Sequence, residues 1–388
     1  NEKILKIYPD YTPSINTKYH ILLDIGAAQL ANEKLKQSND KVSPEVQQRI
    51  LGDLAAEQIK FLDPKRAIKL LDQNINYYEE YLQKDNDPNS ALAFKRRAQF
   101  DKFLAMRQAE MMEEIIEDYE SLKKEGVELP YWVLEAVGDA YLYMKKPEKA
   151  IVIYNKIIEY YKENNQYRYP NNYNVLMAKY VALIELERHY EARKILEELD
   201  REISYFTYKN GILSEHWDKL DLLVEKAWSL IYDDRLNDAE SYIEKIIEDI
   251  PYNSNPRIAQ AYLHLYRGFP RLALEDFEIV TNLNPESKVA AVGKAYALDE
   301  NDKSEEGREI AKALKEKYSK DLAVLKLNRY FEIQDMRLLS VKAEFSHGGS
   351  FVDGAGYTVR LEQPIYPYRK IYAETLWLQT KDEFEKRN

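Results

Sequence analysis

Cysteine is absent, glycine is held to 12 of 388 residues, and only five histidines occur. Without cysteine the chain has no disulfide, no thiolate metal site and no cysteine nucleophile. That absence fits an exported bacterial protein slightly better than a cytosolic one. There is no run of 18 apolar residues, so no transmembrane helix is expected. The histidines, His20, His189, His216, His264 and His347, include no pair at metal-ligand spacing. There is no nucleophile elbow, dinucleotide fingerprint or phosphate-cradling loop. Gly348-Gly349 lies between strand-like segments and precedes no helix. Acidic pairs such as Glu113-Glu114 and Asp233-Asp234 are ordinary for a helical surface with 67 acids. A glycosidase-like dyad is not expected from them. The expectation is a binding and scaffolding protein, not an enzyme, with no cofactor. The net charge of −11 argues against nucleic acid as a partner. The chain opens at Asn1 without an initiator Met, which reads as a processed or trimmed product in which an export signal would no longer be visible.

What is present is a repeat. From about Asp221 to Ser319 the sequence matches itself at a shift of 34 residues. Ala239, Ala273 and Gly307 share one register; Ala227, Ala261 and Ala295 share another; Leu230, His264 and Leu298 a third. Pro251 and Pro285 close two of the units. A 34-residue helix–turn–helix unit with small residues at the helix crossing and a closing proline is the tetratricopeptide pattern. Upstream, Leu134, Gly138, Tyr141, Ala150, Tyr154 and Ile157 occupy the six commonest signature positions of one repeat. Gly138 is expected where the first helix approaches its neighbour closely.

The small-residue position then reads Ala67, Ala109, Ala150, Ala192, Ala239, Ala273 and Gly307. Its early intervals of 41–47 residues predict longer helices or loops there, and its late intervals of 34 a regular stack. Ser43-Pro44, Asp63-Pro64 and Asp87-Pro88 mark helix starts or turns. Tyr19–Leu35 has apolar residues at helical spacing, with Ile21, Ile25, Ala28 and Leu35 on one face. Tyr160–Asn174 and Ser204–His216 are aromatic-rich excursions. The fold expected is all-α: a tetratricopeptide superhelix of seven to eight repeats over 1–325, each repeat burying its apolar face by stacking. A short β segment follows over 326–388. There Tyr357–Glu362 and Arg369–Trp377 alternate apolar and polar residues, and Met336–Phe345 does so more weakly. Ile371, Ala373 and Trp377 fall on one face; Lys370, Tyr372 and Glu374 on the other. The charge divides at the same place: 10 basic and 9 acidic residues from Lys326 onward, 46 and 58 before it. The helical part holds the acidity.

In such a superhelix the first helix of each repeat lines the concave groove. Counting Gly138 as position eight, positions two, five, nine, twelve and thirteen face inward. These are Trp132, Glu135, Asp139, Leu142 and Tyr143; then Asp221, Trp228 and Tyr232; then Tyr262 and Tyr266; then Tyr296, Asp299 and Glu300. The groove expected is aromatic and acidic. Trp228, Tyr262 and Tyr296, 34 residues apart, admit two readings. They pack on the neighbouring helix, or they form a binding ladder. Aromatic faces suit sugar rings and ammonium groups, and acidic neighbours steer polycations. A peptide or partner helix would fit the same surface.

Asn328-Arg-Tyr-Phe-Glu-Ile-Gln-Asp-Met-Arg-Leu-Leu-Ser, a Gly-rich turn, then Leu361-Glu-Gln-Pro-Ile-Tyr-Pro-Tyr-Arg-Lys-Ile-Tyr read as helix end, strand, turn and strand. This passage, following the repeats, resembles the outer-membrane export porins for poly-β-1,6-N-acetyl-D-glucosamine, an exopolysaccharide of biofilms. The resemblance implies a periplasmic repeat domain running directly into a membrane β-barrel, of which only the first strands lie in this chain. It implies a polysaccharide ligand, partly de-N-acetylated and so carrying ammonium groups, a periplasmic de-N-acetylase as docking partner, and a place at the outer membrane. Two alternatives stand beside it: a peptide- or protein-binding repeat adaptor, and another outer-membrane repeat-and-barrel receptor with no glycan role.

Overall fold

The computed structural model describes residues 2–8, 10–38, 40–60, 63–83, 88–347, 352–365 and 369–382. The turn at Asp87, the Gly348-Gly349 pair and Tyr366–Tyr368 lie outside them. The chain divides into two compact units, Asn1–Ser229 and Leu230–Asn388.

The first unit opens with α1 (Glu2–Ile7), α2 (Thr12–Asp24) and α3 (Ala28–Gln37). Tyr19–Leu35 is therefore two helices and not one face. Gly26 at φ +73° turns the chain between them. Ile21 and Ile25 are exposed, while Ile15, Tyr19, Leu23 and Ala31 are buried. Helix pairs follow: α4 (Pro44–Lys60) with α5 (Pro64–Gln83), α6 (Pro88–Gln108) with α7 (Met112–Lys124), α8 (Tyr131–Tyr143) with α9 (Pro147–Glu163), and α10 (Tyr173–Glu185) with α11 (His189–Glu202). Proline opens α4, α5, α6 and α9, where its missing N–H costs nothing. A short hairpin, β1 (Phe206–Lys209) and β2 (Ile212–Glu215), then precedes α12 (Trp217–Tyr232). Asn210 and Gly211, both at positive φ, make its two-residue turn.

The second unit carries α13 (Leu236–Asp249), α14 (Ser254–Tyr266), α15 (Pro270–Leu283), α16 (Lys288–Glu300), α17 (Ser304–Lys317) and α18 (Leu322–Gln334). The small residue is the fourth of the second helix wherever it occurs: Ala67, Ala150, Ala192, Ala239, Ala273 and Gly307. In α7 that place belongs to Ile115, fully buried, and not to Ala109. Ala109 sits in the turn after α6, because α6 runs 21 residues and Glu110 then takes a left-handed φ of +56°. The aromatic that fills each crossing is Tyr154 over Gly138 and Phe277 over Gly293. A β-carbon on Gly138 would stand 2.3 Å from Tyr154 Cε1, and one on Gly293 2.2 Å from Phe277 Cζ. Both helices approach too closely for any side chain larger than hydrogen.

After α18 the chain forms a three-stranded antiparallel meander, β3 (Leu338–His347), β4 (Val352–Ile365) and β5 (Arg369–Asp382), in the order β3-β4-β5. The register pairs Leu339 with Leu361 and Leu361 with Ala373, Val341 with Val359, and Tyr357 with Trp377. One face thus collects Leu339, Val341 and Phe345, then Tyr357, Val359 and Leu361, then Ile371, Ala373 and Trp377. Between Leu339–Phe345, Ala355–Gln363 and Ile371–Gln379 that face has no charged residue. It is not buried: Leu339, Val341 and Phe345 are 64%, 68% and 84% exposed. The opposite face carries the charges. Arg360 bridges to Glu362 (2.9 Å) and Glu374 (3.6 Å), and Lys370 to Glu362 (3.4 Å).

Candidate functional site: the first-helix lining

In the first unit α8 packs beside α6, and the groove positions of α8 meet the basic residues of α6. Trp132 is half-buried, edge-on to Phe100 with centroids 6.3 Å apart, and the Arg97 guanidinium lies 6.0 Å from its ring centre. One turn on, Glu135 bonds the Tyr161 hydroxyl, and burial raises its carboxyl above the usual range. Asp139 pairs with Arg107 Nη2 at 2.7 Å and accepts the Tyr154 hydroxyl at 2.9 Å; burial raises it too. The structure thus gathers Glu135 and Asp139 about Arg107, and ties Asp139 to the ring that covers Gly138. Leu142 and Tyr143 are half-buried on the last turn.

Along α12, Asp221 is exposed and Trp228 half-buried. The group that stands out is Glu225, at position six of the repeat, a position that helical counting did not assign to the lining. Burial, with the Asp221 charge beside it, pushes its carboxyl up to about 7 despite a hydrogen bond with Tyr180. Asp218, Asp221 and Glu225 follow one face of α12, and tyrosines from α10 and the segment before it close over them. The Tyr169 hydroxyl donates to Asp218 Oδ2 at 2.7 Å and lies 2.9 Å from His216 Nε2. The Tyr173 hydroxyl donates to the Asp218 carbonyl at 3.4 Å, and burial with the charges of Asp218, Asp221 and Glu225 raises its pKa. The Tyr160–Asn174 excursion was visible in sequence; that Tyr169 and Tyr173 reach α12 was not.

In the second unit the lining is tyrosine. Tyr262 stands edge-on to Phe277 (5.2 Å, 85°) and tilted against Tyr266 (6.5 Å). Burial raises its hydroxyl, and Tyr266, Tyr296 and Tyr232 add to the effect. Tyr296 is edge-on to Tyr330 at 5.1 Å. Tyr232 and Tyr266 are 43% and 59% exposed, so the cluster has an open side. Asp299 does not join it. It is buried and accepts hydrogen bonds from Ser304 Oγ, Tyr330 Oη (2.5 Å) and Gln334 Nε2 (2.9 Å), which ties α16 to α17 and α18. Glu300 is exposed at the end of α16. Another buried carboxylate, Asp276, holds His264 Nδ1 at 2.9 Å and Arg257 Nη1 at 3.3 Å, joining α14 to α15. Among the described residues no group of three or more His, Asp or Glu is arranged to hold a metal ion.

This lining can offer half-buried carboxylates in one unit and stacked hydroxyl-bearing rings in the other. No family model matches the sequence, and no curated protein does. Solved structures do match in fold. A tetratricopeptide repeat protein from Parabacteroides merdae is 14% identical over 73% of this chain and 98% of its own, with a TM-score of 0.52. Ypp1 is 17% identical over 75% of this chain and 40% of its own, with a TM-score of 0.51. The chain is a tetratricopeptide-type repeat protein, mostly helical, with antiparallel strands at its C-terminal end.

Proposed function

We propose that the chain is the periplasmic repeat region of an outer-membrane export porin for partly de-N-acetylated poly-β-1,6-N-acetyl-D-glucosamine, running into the first strands of its barrel. On this reading it binds polymer, docks the periplasmic de-N-acetylase and makes or breaks no bond itself. The observation that carries the reading is the β3–β5 meander. Its strands of 10, 14 and 14 residues are long enough to cross a bilayer at a tilt. One face is apolar and uncovered, and the other holds ion pairs, the division between a lipid-facing wall and a watery lumen.

The lining supports the ligand half of the reading. Glu225, Asp221 and Asp218 gather beneath Tyr173, and Glu135 and Asp139 share one arginine. An ammonium on a deacetylated sugar would be drawn to these carboxylates, and ring faces would take the sugar planes. The test is calorimetric titration of the chain with partly de-N-acetylated and fully acetylated β-1,6-glucosamine oligomers of one length. Tighter binding of the deacetylated form, lost in Glu225→Gln, is expected. Equal binding of both, or binding of neither, overturns the polymer assignment and leaves the peptide- or protein-binding adaptor.

A further inference from the structure

The lining described above makes no use of a cavity that opens in the first unit. Between α4 and α6 there is a space of about 420 Å³. Small residues create it: Gly52, Ala55 and Ala56 of α4 leave its floor low, and Ile59 and Leu104 give it an aliphatic wall. A β-carbon on Gly52 would touch only Gln48 Nε2, at 3.7 Å, so the space there is open. Two Arg-x-x-x-Asp pairs ring the mouth, Arg49 and Asp53 on α4 and Arg97 and Asp101 on α6. Their charges are not evenly matched. Arg49 spends Nη2 on Asp24 at 2.6 Å and Nη1 on His20 Nδ1 at 3.1 Å, and its Nε stands 3.7 Å from Asp53. Arg97 gives only its Nε to Asp101, at 3.2 Å to each oxygen, and its side chain is 65% exposed. Burial holds the carboxyls of Asp53 and Asp101 above the usual range, in spite of Arg49 and Arg97 near Asp53 and of Arg97 on Asp101.

We propose that the α4–α6 cavity is a binding site for one basic side chain, lysine or arginine, of a peptide or protein partner. The methylene stem lies on Gly52, Ala55, Ala56, Ile59 and Leu104, and the cationic head reaches Asp53 and Asp101. The exposed Arg97 fork at the rim, beside Trp132, takes an acidic neighbour or a backbone carbonyl of the same peptide. The site draws only on α4 and α6, so it stands whether or not the chain exports polymer.

The test uses the full chain with alanine methyl groups labelled for NMR and Ac-Ala-Lys-Ala-NH2 as probe. The expected result is a saturable shift of the Ala55 and Ala56 methyl signals. The Nε-acetyl-lysine peptide binds at least tenfold more weakly, and so does the probe to the Asp53→Asn/Asp101→Asn chain. Gly52→Leu, which fills the cavity without touching a charge, abolishes the shift while other alanine signals keep their positions. That variant decides the matter if the double substitution perturbs the fold. Equal shifts from the acetylated peptide overturn the proposal, as does no shift at saturating probe. A glucosamine trisaccharide that moves the same signals at lower concentration overturns it as well.

Discussion

The helices and the strands of this chain both set apolar residues along one side and end differently. In α8, the apolar side formed by Val133, Ala136, Val137 and Ala140 disappears against α9 and its other neighbours. In β3, Leu339, Val341 and Phe345 are aligned just as regularly and remain in the open. A repeat is covered by the next copy of itself, so its cover is written into the same chain. A sheet face has no such successor. Each large apolar side chain left out forgoes about 1.5–3 kcal/mol of burial. The helical faces are solvated by the chain itself, whereas the sheet face is left to its surroundings.

Lysine at Val341, Leu361 and Trp377 together should lower partition into phosphatidylcholine vesicles at least 100-fold. The basis is a cost of about 2–4 kcal/mol per lysine on the lipid side of a barrel midplane. Flotation measures it, and far-UV circular dichroism should show the helices intact. Unchanged partition would mean that the uncovered face meets something other than lipid. Next comes the covered side of the contrast. Phe277→Ala should cost about 3–5 kcal/mol, seen as a fall in thermal midpoint. Gly293→Ala should cost about 1–3 kcal/mol, because its β-carbon meets Phe277, and Phe277→Leu should recover part of that loss.

A smaller effect tests the lining. Glu225 titrates near 7 in the folded chain, well above a free glutamate. The folded state therefore holds its proton where the unfolded state has lost it, and stability falls as pH rises from about 4.5 to 7. Glu225→Gln should remove that slope and gain on the order of 1–3 kcal/mol at pH 8 relative to the parent, with little change at pH 4. Thermal midpoints at the two pH values check it; a parallel offset at both would assign the gain to packing alone. Smallest of all, Glu185→Gln removes the exposed Lys145–Glu185 pair, 2.7 Å long, and should shift stability by less than about 1 kcal/mol.

The repeat was legible because its spacing is enforced by contact. Ala239, Ala273 and Gly307 recur at 34 because each is the fourth residue of a second helix pressed against a first one. Ala109 broke the series for a local reason: the apolar period of α6 runs on through its turn, and only the backbone at Glu110 shows that the helix has stopped. The β1–β2 hairpin lies in Ser204–His216, a segment read only as aromatic-rich; the positive φ of Asn210 and Gly211 is what turns it back on itself. The alternation along the strands was readable too, since Ile371, Ala373 and Trp377 do share a face, while the pairing between strands was not. The lining was harder. Counting positions puts Asp299 and Glu300 side by side, but Asp299 is claimed by Tyr330 and Gln334, 31 and 35 residues later. Glu225 had no mark at all, because its proton affinity comes from burial and from the Asp221 charge, against a hydrogen bond from Tyr180.

The join between helix and sheet is short. Only Asp335, Met336 and Arg337 separate α18 from β3, and Arg308 of α17 grips that point through Asp335 Oδ2 at 2.8 Å and Gln334 Oε1 at 3.2 Å. Three residues make a leash of at most about 11 Å. A load applied to the strands therefore reaches α17 and α18 with almost no slack.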